Sequence, residues 1–207
     1  VEDCETSASG DYTRIDVGTD RMGIRVGAGE TFPDDVIDGS PSGVIIDQRG
    51  DGHLELIPQG ADITIKNTAI VGSQDGEFAI NGISAPSGGT ITIDSCYLYG
   101  YGGPTESGGG IRTAAAHAGE LFITNTYVEG FGNNASYCSG PGMEGKGGGQ
   151  VHYRNCYFAN STASLYRIGT PGSSIKNCVG VVANTGDGPT RPTYYASDSL
   201  NSRPVWL

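Results

Sequence analysis

A length of 207 residues predicts one domain, and an elongated repeat can use all of them. Hydrophobic residues make up 36%, enough for a narrow core, and the 35 glycines sit between strand-like runs without a collagen period, so they read as turns. The formal net charge is −11, with 23 acidic residues against 12 basic ones, of which only Lys66, Lys146 and Lys176 are lysines; this argues against a nucleic-acid backbone as partner.

Residues 1–43 show no repeat. They hold two short strand-like runs, at Ile15–Val17 and Ile24–Val26, and an Asp34-Asp35 pair beside Pro33. A solenoid needs a lid over its first coil, and this segment is the expected N-terminal cap. The run from Ser42 to Gly60 reads as the first full coil, with a turn at Gly50–Gly52. The chain starts at Val1, which fits either processing or a longer parent polypeptide. No run of 18 apolar residues occurs, so membrane insertion is not expected.

From residue 44 to 183 one pattern recurs: Ile65-Lys66-Asn67-Thr68, Ile93-Asp94-Ser95-Cys96, Ile123-Thr124-Asn125-Thr126, Tyr153-Arg154-Asn155-Cys156 and Ile175-Lys176-Asn177-Cys178. The third residues are 28, 30, 30 and 22 positions apart, a solenoid period. The flanks alternate apolar and polar residues and are rich in Ile, Thr, Tyr and Val, which predicts strands. Asn at the junction tolerates the left-handed backbone of a sharp bend. Stacked coils would align these residues about 4.8 Å apart, where their side chains could satisfy groups that the bend removes from water. A third strand per coil is expected at Gly76–Asn81, Gly110–Ala114, Ala135–Ser139 and Ala163–Ile168, with Phe78, Ile80, Ile111 and Leu165 as core residues. Glycine-rich connections at 100–110 and 139–149 are either binding loops or tolerated insertions. The tail, 184–207, is expected to fold back over the last coil through Trp206, Tyr194 and Tyr195, or else to be exposed.

From about Gly43 to Ala183 this pattern resembles the right-handed parallel β-helix repeats of the pectate-lyase-like superfamily, with their asparagine ladder. The resemblance implies an all-β solenoid of about six coils. It also implies two chemistries: lyases with a calcium site of acidic residues and an arginine or lysine base, and hydrolases with paired aspartates. Asn184-Thr185-Gly186-Asp187-Gly188 is similar to the Asn-Thr-Asp-Gly motif of polygalacturonases, but carries an extra glycine and lies in the tail. In the family the third-strand face carries the substrate groove; here Asp75, Glu77, Arg112, Glu144 and Arg167 lie on or near it. A calcium site from these carboxylates stays open; no other cofactor is expected. The acidic, lysine-poor composition resembles that of salt-loving archaeal proteins, which stay hydrated when salt screens charge; an ordinary acidic secreted protein is the alternative.

Two positions after the ladder residue come Ala69, Tyr97, Tyr127, Tyr157 and Val179. Three tyrosines in one register form either an outward strip for sugars, rimmed by Tyr99, Tyr101 and Phe131, or an aromatic ladder that holds the stack together. His53, His117 and His152 have no metal-binding spacing; His117 reads as a surface turn residue and His152 as solvent-facing. Cys96, Cys156 and Cys178 share one register and form either a stack of small buried residues or, for Cys156 and Cys178, an inter-coil disulfide; Cys4 and Cys138 fall outside the register and could form a clasp. No Cys-x-x-Cys spacing marks a metal site, so no metal is assigned. Asn134-Ala135-Ser136 and Asn160-Ser161-Thr162 are glycosylation sequons expected on an exposed edge. The expectation is a non-catalytic extracellular, cell-surface or virion β-helix protein (a spike, fibre or decoration subunit) that binds a glycan or cell-surface component. It would be a homo-oligomer or part of a larger assembly. The alternative is a lyase or glycoside hydrolase acting on acidic polysaccharide.

Overall fold

The computed structural model describes residues 5–9, 12–16, 21–26, 36–38, 44–48, 53–72, 78–100, 108–161, 163–181 and 205–206. All five recurrent turn residues are left-handed: φ is 53° at Asn67 and Ser95, 49° at Asn125, 54° at Asn155 and 51° at Asn177. That conformation costs an ordinary L-residue roughly 1–2 kcal/mol, and Asn among non-glycine residues bears it best. Each turn is tied to the next coil through its peptide N–H. Asn67 donates to the Asp94 carbonyl at 3.2 Å, Ser95 to Thr124 at 3.1 Å, Asn125 to Arg154 at 3.0 Å and Asn155 to Lys176 at 3.1 Å.

The side chains of the ladder also bond along the stack. Asn177 Nδ2 donates to Asn155 Oδ1 at 2.8 Å, and Asn155 Nδ2 to Asn125 Oδ1 at 3.1 Å. Where Ser95 breaks the amide series, Asn125 Nδ2 donates to Asp94 Oδ1 at 2.8 Å. Ser95, Asn125, Asn155 and Asn177 are exposed, so this ladder runs along the outside. The inward duty expected of it falls to the following residue. Thr68 Oγ1 donates to the Lys66 carbonyl at 3.0 Å, Cys96 Sγ to Asp94 at 3.4 Å, Thr126 Oγ1 to Thr124 at 2.8 Å and Cys156 Sγ to Arg154 at 3.3 Å. Cys96, Cys138, Cys156 and Cys178 are free thiols, which favours the small-residue stack over a Cys156–Cys178 or Cys4–Cys138 bridge.

Three sheets follow from this turn. Upstream of it run Val36–Asp38, Ile63–Lys66, Thr90–Asp94, Glu120–Thr124, Gln150–Arg154 and Ser174–Lys176, all parallel. Downstream run Tyr12–Asp16, Val44–Gln48, Thr68–Gly72, Tyr97–Gly100, Tyr127–Glu129, Tyr157–Ala159 and Val179–Val181, also parallel. The third sheet holds Arg21–Val26, His53–Pro58, Phe78–Ile83, Gly109–Thr113 and Ser136–Tyr137. The chain visits the sheets in rotation, and the six strands of the upstream sheet mark six coils. This is a parallel β-helix.

Its ends differ from expectation. Strands within 12–38 join all three sheets in register, so the segment expected to be a separate cap already forms a coil. Glu5–Ser9 runs antiparallel to Tyr12–Asp16 at the edge of its sheet. At the other end Val205–Trp206 pairs in parallel with Tyr166–Arg167.

The core is a set of in-register lanes. Ile65, Ile93, Ile123 and Tyr153 form one, and Ile46, Ile70, Leu98, Val128 and Phe158 another, all 4% exposed or less. Burying each such side chain contributes roughly 1.5–3 kcal/mol. Towards the C-terminal end the lanes turn aromatic. Tyr153, Phe158 and Tyr166 pack with centroids 4.4–5.7 Å apart, and Tyr166 OH donates to the Val179 carbonyl at 2.7 Å. Phe78, expected inside, is buried but lies outside this cluster; its ring lies across Gly109, where no Cβ could fit. Asn125→Ala is expected to lower stability by about 1–2 kcal/mol through left-handed strain and lost ladder bonds, and Asn125→Gly by about half as much. Urea unfolding of the two variants checks the order.

Candidate functional site

The turn residue sets which downstream side chains point outward. Leu98, Val128 and Phe158 are buried, so their neighbours Tyr97, Tyr127 and Tyr157 stand on the outer flank. These tyrosines pair in register and stack: the rings of Tyr97 and Tyr127 are 5.0 Å apart at 28°, those of Tyr127 and Tyr157 4.7 Å apart at 11°. The strip therefore both faces outward and holds successive coils together. Tyr99 joins it, its ring parallel to Tyr97 within 3° at 6.2 Å. Tyr127 OH donates to Glu129 Oε2, and Asn160 Nδ2 donates to Glu129 Oε1 at 2.7 Å. Burial first, then the hydrogen bond to Glu129, pushes the Tyr127 phenol far above its usual value, so it stays protonated.

Phe131, expected on the rim, is instead 2% exposed and part of the core. Gly130, with φ 77°, reverses the phase of the strand and turns Phe131 inward. Gly100 leaves the space, since a Cβ there would lie 2.7 Å from the Phe131 ring. Tyr101 lies outside the described residues.

On the third sheet, Arg112 and Tyr137 pair in register, and the Arg167 guanidinium lies 3.9 Å from the Tyr137 ring centre. Arg167 Nε donates to Ser139 Oγ at 2.9 Å. Arg112 sits 5.6 Å over the Phe78 ring, which meets Tyr137 edge-on at 6.3 Å. The two predicted arginines thus share one flank through two aromatic rings that sequence reasoning did not assign to it. Glu144 is exposed on the 139–149 connection, which folds back onto the preceding coil: Gly147 N–H donates to the Ala115 carbonyl and Gly149 N–H to that of His117, both at 2.9 Å. Asp75, Glu77, Asp34, Asp35 and the 184–188 string lie outside the described residues. Among the described residues no group of three His, Cys, Asp or Glu side chains is placed to hold a metal.

The upstream sheet contributes features that the sequence did not announce. Phe122 stacks on His152 at 5.0 Å, and Arg154 lies 5.3 Å over Phe122. His152 is half-buried on this outer face and bonds Ser174 Oγ through Nδ1 at 2.9 Å. Beside them a groove of about 400 Å³ is lined by Gly88, Gly89, Thr90, Ala118, Gly119, Glu120, Gly148 and Gln150. Gly89, Gly119 and Gly149 occupy one position on three coils, and their 30-residue spacing was the available signal.

Under this corner lies His117, which is fully buried rather than on the surface. Its Nδ1 accepts the Ala85 N–H at 3.0 Å, which leaves Nε2–H to donate to the Gln150 carbonyl at 3.4 Å. The imidazole is therefore a neutral crosspiece between three coils. Asn134, expected on an exposed edge, is 4% exposed, with Oδ1 accepting the Ser164 N–H at 3.2 Å and Nδ2 donating to Asn133 Oδ1 at 2.6 Å. Asn160 is half-buried, its amide held by Glu129.

With this geometry in place, comparison with known proteins finds no matching family model, no matching curated protein and no matching solved structure.

Burial pushes the His117 pKa below 6.5, and burial does the same to His152. A depressed histidine stabilises the fold fully above the unfolded value, and that contribution is lost as pH falls below it. Stability is expected to drop between pH 7 and pH 5, and His117→Asn, though less stable at pH 7, is expected to show a flatter decline, His152 keeping a residual slope; urea midpoints at the two pH values check this. Desolvation raises the Cys96 and Cys156 thiols to about 12. With a neutral alkylating reagent on the folded protein, half-buried Cys178 is expected to react before Cys96, Cys138 and Cys156, as peptide mass spectrometry would show.

Proposed function

We propose that the protein is a non-catalytic extracellular or virion-surface β-helix subunit (a spike, fibre or decoration element) that recognises cell-surface glycans through its tyrosine flank. The observation that carries this reading is the outward stack of Tyr97, Tyr127 and Tyr157, with Tyr97 40% exposed. Tyrosine offers an apolar ring to the C–H face of a sugar and a hydroxyl to its polar edge. Three features support a rigid presenting rod: the outer amide ladder, the inner Thr/Cys lane and the continuous aliphatic core. The acidic, lysine-poor composition supports a strongly hydrated surface, and the asparagine ladder keeps the likeness to pectate-lyase-like repeats as the finer class. Such rods assemble by flank packing or end-to-end stacking, and a homo-oligomer or a place in a larger structure is part of the proposal.

A second reading, a lyase or hydrolase of acidic polysaccharide, draws on the flank shared by Arg112, Tyr137 and Arg167, where guanidinium groups could hold sugar carboxylates. Release of unsaturated or reducing ends from polyuronates by the wild type, lost in Arg112→Ala, would favour it.

The main reading is tested on a glycan array with the wild type and a triple Tyr97→Ser, Tyr127→Ser, Tyr157→Ser variant. The wild type is expected to retain a subset of glycans and the triple variant none, with the β circular-dichroism spectrum kept in both. Equal binding by both proteins, or none by the wild type, overturns it.

A further inference from the structure

We infer that the corner groove beside the upstream sheet binds a short aliphatic diamine or polyamine through its ammonium groups, at a site separate from the tyrosine flank. The groove measures about 400 Å³, room for an organic cation together with its chain. No side chain fills this corner, because Gly89, Gly119 and Gly149 recur there and the coils approach closely. A Cβ at Gly119 would lie 2.2 Å from the Gly89 carbonyl oxygen, and one at Gly149 2.5 Å from the His117 ring. Described residues bound the groove at both ends, 60–62 on the coil before it and 171–173 on the coil after. Gln150 closes the second end, since a Cβ on Gly172 would come within 2.6 Å of its Nε2.

The hydrogen-bonding capacity of the walls selects the ligand. Their backbone donors are spent inside the protein. The Gly89 N–H donates to the Pro86 carbonyl at 2.9 Å, those of Ala118 and Gly119 to Ala85 at 2.8 and 3.1 Å, and that of Glu120 to Gly89 at 3.0 Å. The Gly148 N–H donates to Pro141 and that of Gln150 to Gly119, both at 2.9 Å. The acceptors are unspent. Among the described residues nothing donates to the carbonyls of Gly88, Ala118 and Gly148, which recur at one position on three coils. Nothing among them donates to the Glu120 carboxylate, and the side chains of Thr90 and Gln150 make no hydrogen bond there. Carbonyl and carboxylate oxygens can only accept. An anion would therefore meet a carboxylate and a row of carbonyls, whereas an ammonium group, with three donors, meets an acceptor on every coil.

Charge points the same way. Thr90, Glu120 and Gln150 pair in register across three coils. The row continues to exposed Asp62, which precedes Ile63 as Thr90 precedes Ile91, the register partner of Ile63. The backbones of Asp62 and Glu120 are two coil steps apart, about 9.6 Å. One ammonium can sit at each carboxylate, with the methylenes between them along the glycine floor. The basic residues of this sheet, Lys66, Arg154 and Lys176, stand at its other edge, four residues along each strand and about 13 Å away. His152, between the two edges, is held below its usual pKa by burial and is uncharged at neutral pH. The net charge of −11 draws cations to the chain as a whole, and the spaced acceptors hold them here.

The test is calorimetric titration of the whole chain with cadaverine and spermidine at low salt. The wild type should bind both at one site. Glu120→Gln should weaken binding by about fivefold and Asp62→Asn by about threefold. Ala118→Leu, which fills the groove and leaves every charge in place, should abolish it; circular dichroism checks its fold, and exposed Glu120 serves as the test should Ala118→Leu not fold. Pentylamine and acetyl-lysine methylamide, with one ammonium each, should bind at least about fivefold more weakly than cadaverine. The triple tyrosine variant should bind cadaverine as the wild type does, so failure of the glycan reading leaves this site standing. No binding by the wild type overturns the inference. Binding unchanged in Glu120→Gln and Ala118→Leu overturns it in favour of diffuse counterion attraction. Affinity for the single-ammonium compounds equal to that for cadaverine overturns the two-carboxylate grip and points to a lysine side chain or simple amine instead.

Discussion

At each recurrent turn a peptide N–H that has left its own strand donates to the carbonyl preceding the equivalent turn one coil on, at 3.0–3.2 Å from Asn67 through Asn155. That bond forms only if the turn residue is left-handed, and it fixes the phase of everything after it. The next residue points in, the second out and the third in, because side chains alternate along a strand. A one-residue slip after the turn would move Leu98, Val128 or Phe158 to the surface and the tyrosine beside it to the core. The isoleucine lanes, the aromatic plug near the C-terminal end and the outer tyrosine stack all inherit their positions from this turn.

The inward position directly after the turn runs Thr68, Cys96, Thr126, Cys156, Cys178. Hydroxyl and thiol are exchangeable there because the site asks for a small side chain that can reach back two residues to a carbonyl. The thiols do slightly more: Cys156 Sγ lies 3.3 Å from the Ile123 carbonyl of the preceding coil as well. Each such bond adds a modest amount, about 0.5–1.5 kcal/mol. Their larger effect is to leave no orphaned carbonyl at a corner that water does not reach. With their pKa near 12, Cys96 and Cys156 remain thiols at any ordinary pH, so the lane works by donation and not by charge.

The ladder, the strands around it and the core lanes were legible in the sequence because they rest on local rules: period-two alternation and a residue tolerant of left-handed backbone. The orientation of the tyrosines was legible only to within one residue of the bend, which is the difference between core and surface. Phe131 was misplaced because Gly130 reverses the phase just after a regular strand, and a single glycine in a glycine-rich chain carries little signal. His117 reads as a turn residue because its partners, Ala85 and Gln150, are 32 and 33 residues away. Asn134 matches a surface sequon in pattern, yet its amide is consumed by Asn133 and by Ser164 one coil on. The first coil, within 12–38, escaped notice because it pairs in register without repeating the turn motif.

In a β-helix whose inner lanes repeat, differences between coils are carried by the outer lanes. Inward positions vary little from coil to coil, because each must match the neighbours above and below it. Outward positions are free of that constraint, and here they change abruptly: Ala69 gives way to Tyr97, Thr92 to Phe122 and then His152, and Arg112 to Tyr137. A lane of identical rings stabilises the stack and consumes its own faces. The faces within the tyrosine stack hold coils together, at about 0.5–1.5 kcal/mol per pair.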